Sequence, residues 1–248
     1  MSRRITAGTA AFLAVVGGLA VAPADAATPC GDVALVFAID ASASIDDREY
    51  ALQTGGIASA LADPRVADAV ARAGDVRLAA VVWGDEAFPL TVIDWQAVPT
   101  PADLDRFAVT LLAADRRADG STRIGYGLAA AIDLFAEPAG CAARQVIDVS
   151  GDGRETRVVR GARFGLAGQR ARAETLGITI NGLAVASREP DLPAYYGQYV
   201  AAGAGAFVIE VPDWQGFQEA MTLKLLREIG VVVADALAVP EGAEPVVR

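Results

Sequence analysis

Six short apolar runs constrain this chain most: Val33 to Ile39, Val76 to Trp83, Leu90 to Trp95, Gln145 to Ser150, Ile178 to Ala184 and Ala206 to Val211. A strand with one wet face alternates apolar and polar residues, whereas a run apolar throughout is buried on both faces, as in a parallel sheet covered by helices. Longer amphipathic stretches separate the runs, near Asp46 to Leu61, Ala102 to Ala113, Ile124 to Phe135, Val158 to Leu176, Leu192 to Ala201 and Trp214 to Ala236. In one of them, Leu104, Phe107, Leu111 and Leu112 make a stripe at helical spacing. The connection WGDEAFPL, from Trp83 to Leu90, is too short for a crossover helix, so it predicts an antiparallel hairpin. The pattern predicts an α/β fold with a doubly wound, mostly parallel six-stranded sheet, one antiparallel strand and helices on both faces.

No internal repeat or Pro/Gly-rich linker divides the 248 residues, and 53% apolar content suffices for a sizeable core. The opening MSRRITAGTAAFLAVVGGLAVAPADA places two arginines before an apolar stretch from Ile5 to Val21 and ends in Ala24-Asp25-Ala26. Residues 1–26 therefore read as a signal peptide, 27–238 as the folded domain and 239–248, VPEGAEPVVR, as a mobile tail. An uncleaved anchor is the other reading of the opening, since roughly 17 apolar residues is the short edge of a membrane span. With the signal removed, no stable membrane span is expected, and the chain is expected in the periplasm or outside the cell.

A formal net charge of −10 opposes phosphate backbones and anionic lipid surfaces, so nucleic acid is an unexpected partner. The sequence has no histidine, which excludes Ser-His-Asp and Cys-His catalysis and imidazole-bound zinc. Lys224 is the one lysine among 21 basic residues. Two cysteines in an exported chain invite pairing, and Cys30 and Cys141 each stand just upstream of an apolar run. If those two strands are parallel neighbours, the sulfurs start at one level.

Ligands of open α/β sheets bind at the carboxyl ends of the strands. Asp40, Ser42 and Ser44 follow the first strand at alternating positions and so project to one side of an extended loop. Ser44 also reads as the cap of the following helix, because SIDD sets an acid three residues after it. Ser121 and Thr122, in DGSTRIGYGL, fall at another helix start and carry the same ambiguity; Asp152, in DVSGDGRET, sits in a glycine-flanked turn where an Asx turn is the plainer reading. Together Asp40, Ser42, Ser44, Thr122 and Asp152 supply only oxygen, which suits a hard cation, Mg²⁺ before Mn²⁺ or Ca²⁺.

This arrangement resembles a von Willebrand factor type A domain. The family's DxSxS motif matches at Asp40-Ala41-Ser42-Ala43-Ser44, its later threonine at Thr122 and its later aspartate at Asp152, and the resemblance runs from about Asp32 to Ala236. It implies a metal ion-dependent adhesion site, with the serines and threonine ligating Mg²⁺, the aspartates acting directly or through water, and an acidic side chain of a protein partner completing the shell. It also implies that the first and fourth strands are neighbours, and hence a Cys30–Cys141 disulfide. One departure is visible: the family's short TDG or SDG turn is here Ser150-Gly151-Asp152-Gly153. Among members of the family, the chain looks most like small exported bacterial proteins of unassigned function, so the resemblance supplies a site without a named partner; the adhesion site it implies predicts a binding rather than an enzymatic role.

Two other readings stay open. A structural exported domain could carry an empty site. A haloacid dehalogenase-like phosphatase would also place an Asp after its first strand and a GDG loop after its fourth, but it needs an acid where Ser42 stands and a basic residue that Lys224 is too far downstream to supply. Finally, the family resemblance raises coupling of the last helix to binding, against plain core packing, and the three tyrosines of REPDLPAYYGQY, Arg188 to Tyr199, suit either an interface or a helix cover.

Overall fold

The computed structural model describes residues 30–156 and 164–230. The signal peptide read at 1–26, the tail at 239–248, the start of the helix expected from Val158 and everything beyond residue 230 lie outside the described residues.

Strand β1, Gly31–Asp40, is buried at every position but Asp32, as its uninterrupted apolar run requires. It pairs in parallel with β2, Val76–Trp83, on one side and with β4, Ala142–Gly151, on the other. The hairpin brings β3, Thr91–Ala97, back antiparallel to β2, and β5, Thr179–Val185, and β6, Val208–Val211, extend the other side in parallel. The order is β3-β2-β1-β4-β5-β6, a doubly wound sheet in which the two halves meet at β1.

Alternate residues of each strand serve different layers. Leu35, Phe37 and Ile39 of β1 pack with α1 (Asp47–Leu61), α2 (Pro64–Ala73), α3 (Pro101–Leu112) and α7 (Phe217–Ile229). Ala34, Val36 and Ala38 face α4 (Ile124–Leu134), α5 (Leu166–Leu176) and α6 (Leu192–Tyr199). Trp83, the last residue of β2, pairs in register with Asp40, is fully buried, and packs its indole against Gly127 in the first turn of α4; a Cβ there would stand 2.4 Å from the ring.

Helix α2 has no counterpart in the sequence reading. Asp63 caps it by accepting from the Arg65 amide and Pro64 opens it, a start signal hidden by the two-residue break after α1. In α3 the stripe keeps Leu104, Phe107 and Leu111 inside, but Leu112, at the last turn, is 55% exposed. A disulfide joins Cys30 to Cys141, immediately before β1 and β4. Tying two adjacent strands across a separation of 111 residues, it removes much of the chain's unfolded freedom.

Candidate metal centre

The carboxyl ends of β1 and β4 are next to each other, and the loops leaving them supply most of the candidate residues. Asp40, still in β1, is fully buried. Its Oδ1 accepts from the Ser42 amide at 2.8 Å, which folds the loop back on the strand end; its Oδ2 is buried with no hydrogen-bond partner. Ser42 Oγ lies 3.2 Å from both Ser44 Oγ and Thr122 Oγ1, and Ser44 Oγ donates to Asp152 Oδ1 at 2.7 Å. The structure thus brings all five sequence-read residues together.

Neither serine motif caps a helix. Asp46 caps α1 through a reciprocal pair with Glu49, its carboxylate accepting from the Glu49 amide at 2.8 Å while its own amide donates to Glu49 at 3.0 Å. The capping box therefore begins two residues after Ser44 and leaves that hydroxyl free for the site. At α4 the cap position is Arg123, without a side-chain cap; the Gly125 amide donates instead to Glu155 Oε2 at 3.0 Å. Ser121 bonds to Asp85, and Thr122 turns inward.

The loops are braced from below and from the side. Gln53 of α1 donates to the Asp40 carbonyl at 2.8 Å and accepts from Ser150 Oγ at 2.7 Å, so one buried amide spaces β1 from β4. Arg116 reaches the Ala41, Ser42 and Ile45 carbonyls, the last at 2.6 Å, and pairs with Asp47. The Ala43 amide donates to the Gly120 carbonyl, and the Thr156 amide to that of Thr122, each at 2.8 Å, which lashes the three loops to one another.

Gly151 explains the departure in the turn after β4. A Cβ at this position would meet Asp40 Oδ2 at 2.7 Å and the Tyr196 hydroxyl at 2.8 Å, so only glycine lets the strand end run beside the buried carboxylate. Tyr196, fully buried, leaves its hydroxyl without a hydrogen-bond partner. It belongs to the tyrosine-bearing segment, of which Tyr199 is exposed and packs on Tyr195.

Arg188, in the β5–α6 connection, is a site residue that sequence reasoning missed. It donates to Asp152 Oδ2 and to the Ser44 carbonyl, and its second nitrogen meets both oxygens of Glu49 at 3.0 Å. No spacing rule links a residue 144 positions from Ser44 to the motif.

Burial pushes the Asp40 carboxyl up to about 7, with the charge of Asp152 adding, while the Ser42 hydrogen bonds and Arg116 oppose. Burial and the charges of Asp40 and Asp152 hold the Tyr196 hydroxyl well above its ordinary range. Among the described residues no group of three or more His, Cys, Asp and Glu side chains is placed to hold a metal. The candidate consists of two carboxylates and three hydroxyls. An unpartnered, buried carboxylate oxygen within an oxygen-only set fits a hard divalent cation.

Residues 29–233 match a protein family described as "Protein of unknown function (DUF1194)". No curated protein matches the sequence. Among solved structures, the chain is similar to the pilus adhesin SpaC from Lactobacillus rhamnosus GG, with a TM-score of 0.58 and 12% identity over 82% of this chain and 31% of the adhesin. It is similar to the vWF domain of the type V pili tip protein Mfa5 from Porphyromonas gingivalis, with a TM-score of 0.53 and 12% identity over 81% and 96%. It is also similar to proximal thread matrix protein 1 of the mussel byssus, solved with a zinc-occupied MIDAS motif, with a TM-score of 0.52 and 16% identity over 79% and 46%. The chain spans about a third of the SpaC adhesin and about half of the byssus protein. At these identities the likeness establishes the fold, that of von Willebrand factor A domains, in agreement with the order of the sheet.

Proposed function

The chain belongs to the DUF1194 family, whose description assigns no activity, and from that premise we propose that it is an exported, divalent-cation-dependent protein-binding domain. In this reading Asp40, Ser42, Ser44, Thr122 and Asp152 hold the cation, Mg²⁺ before Mn²⁺ or Ca²⁺, and an acidic side chain of the partner completes the shell. The observation that carries the reading is the buried, unpartnered Oδ2 of Asp40 at the base of a cluster of oxygen donors from three loops. Bound there, the cation supplies positive charge to an incoming carboxylate. The protein's own part is to fix the donors: Gln53 sets the strand spacing and Arg116 the loop.

The zinc-occupied MIDAS of the byssus protein supports the metal, and the adhesin and pilus-tip neighbours support a binding role over an enzymatic one. Export rests on the pattern of residues 1–26 and on the disulfide; among the described residues no helix is long and apolar enough to cross a membrane. A second reading is favoured by Arg188: its guanidinium already meets Asp152, and a structural domain could use it as its resident cation.

Calorimetric titration with Mg²⁺, then Mn²⁺ and Ca²⁺, separates the two. The proposal expects binding by the native chain and none by Asp40→Ala. Silence in the native chain, or equal heats in both proteins, refutes it in favour of the second reading. A pull-down with Mg²⁺ against chelator then identifies the partner.

A further inference from the structure

The chain's sole lysine is fully buried, in contact with two acids. Lys224 Nζ lies 2.8 Å from Asp148 Oδ1 and 2.5 Å from Glu228 Oε1, and none of the three side chains is accessible to solvent. Asp148 belongs to β4, whereas Lys224 and Glu228 are one turn apart on α7. Asn181 of β5, level with Asp148, donates to Glu228 Oε1 at 2.8 Å and accepts from the Phe207 amide at 3.1 Å. The Phe207 ring lies 5.7 Å from Nζ. The cluster is separate from the candidate metal centre, and a sequence that uses arginine for every other basic residue has here the one cation whose neutral form is a nucleophile.

From this geometry we propose that Lys224 and Asp148 form an intramolecular isopeptide bond, with Glu228 relaying the proton. Asp148 is the electrophile because Nζ lies against its carboxyl group without hydrogen-bonding either oxygen, whereas the hydrogen bond of Nζ goes to Glu228. Glu228 is the relay because it touches the amine and is oriented by Asn181. Burial, with the charge of Asp148 adding, pushes the Glu228 carboxyl up, against Lys224 and Asn181, in the sense that favours its holding the proton it relays.

The chemistry balances without a co-reactant. One proton passing from Lys224 to Asp148 turns the ion pair into an amine and a carboxylic acid, the two forms that condense. Nζ attacks Cγ of Asp148, the C–N bond forms, and the surplus amine proton passes through Glu228 to a carboxyl oxygen. The C–O bond breaks and one water leaves, so nothing is oxidised or reduced. The amide joins the middle of β4 to α7.

Denaturing, reducing mass spectrometry of the purified mature chain, with its N terminus read from the same tryptic digest, tests this. The expected mass is one water below that of the sequence, and peptide 145–154 is joined to peptide 189–227, uncut at Lys224. Glu228→Gln, which preserves the amide contact to Asn181, is expected at full mass with a native circular dichroism spectrum. A native chain at full mass overturns the proposal. So does the loss of ammonia, which would assign the bond to Asn181, or a link from Lys224 into the peptide starting at Glu228. A cross-linked Glu228→Gln chain would overturn the relay.

Discussion

Ser44 Oγ donates to Asp152 Oδ1 at 2.7 Å across a sequence separation of 108 residues, closing the loop after β1 onto the loop after β4. Ser44 is exposed, so its hydroxyl has little to do with the core. Ser44→Ala is therefore expected to cost Mg²⁺ affinity by roughly ten- to a hundredfold, while the stability of the metal-free protein stays within about 0.5 kcal/mol of the parent. Calorimetric titration and urea unfolding in chelator give the two numbers; an unchanged affinity would remove Ser44 from the site.

Arg188 holds the other Asp152 oxygen and is 45% exposed, so its charge is partly screened. A guanidinium beside the same carboxylate competes with a bound cation. Arg188→Ala is expected to tighten Mg²⁺ binding on the order of five- to tenfold, the scale of a partly exposed ion pair. Weaker binding in the variant would mean that Arg188 supports the shell instead.

Gly151→Ala places a methyl group 2.7 Å from Asp40 Oδ2, against a fully buried carboxylate and a buried tyrosine. Neither neighbour is a flexible tip that can swing into solvent. The variant is expected to lose about 1–3 kcal/mol of stability and to bind Mg²⁺ poorly. Differential scanning calorimetry with and without the metal is the check; wild-type behaviour in both would show that the strand end yields.

The Asp40 carboxyl stands at about 7 in the folded protein against 3.8 ordinarily. Between those values the folded, metal-free protein keeps a proton that the unfolded chain has released. Stability in chelator therefore falls as pH rises from about 4 to about 7, by up to the order of 4 kcal/mol from this group. Glu155 and Glu228, also raised by burial, act in the same sense. Asp40→Asn, which mimics the protonated form, is expected to be the more stable protein at pH 8 in chelator, and excess Mg²⁺ should stabilise only the parent. Urea midpoints from pH 4 to pH 8 test both statements.

The strands were legible because parallel, doubly covered strands leave near-continuous apolar runs, and β2 begins and ends where its run does. That Asp40, Ser42, Ser44, Thr122 and Asp152 meet at one edge of the sheet was legible because strand ends and loop spacing are local properties. What joins the loops was not. Arg188, Gln53 and Arg116 act through tertiary contacts that have no periodic signature, and Glu155 takes over the capping of α4 from a distant loop. Ser44 looked like a cap because Asp46 and Glu49 repeat the capping-box pattern two residues later. The fully buried Lys224 gave no warning either, since its partners come from β4 and from the next turn of α7.

Trp83 pairs in register with Asp40 and rests on the helix that follows Thr122. Trp95 and Trp214 belong to other parts of the molecule, in β3 and ahead of α7. A fully buried indole thus stands on the strand next to the one that ends in Asp40, at the same level of the sheet. If the proposed site takes up a cation, the expected readout is a shift in ultraviolet emission from the unlabelled chain, with Trp83→Phe as the blank.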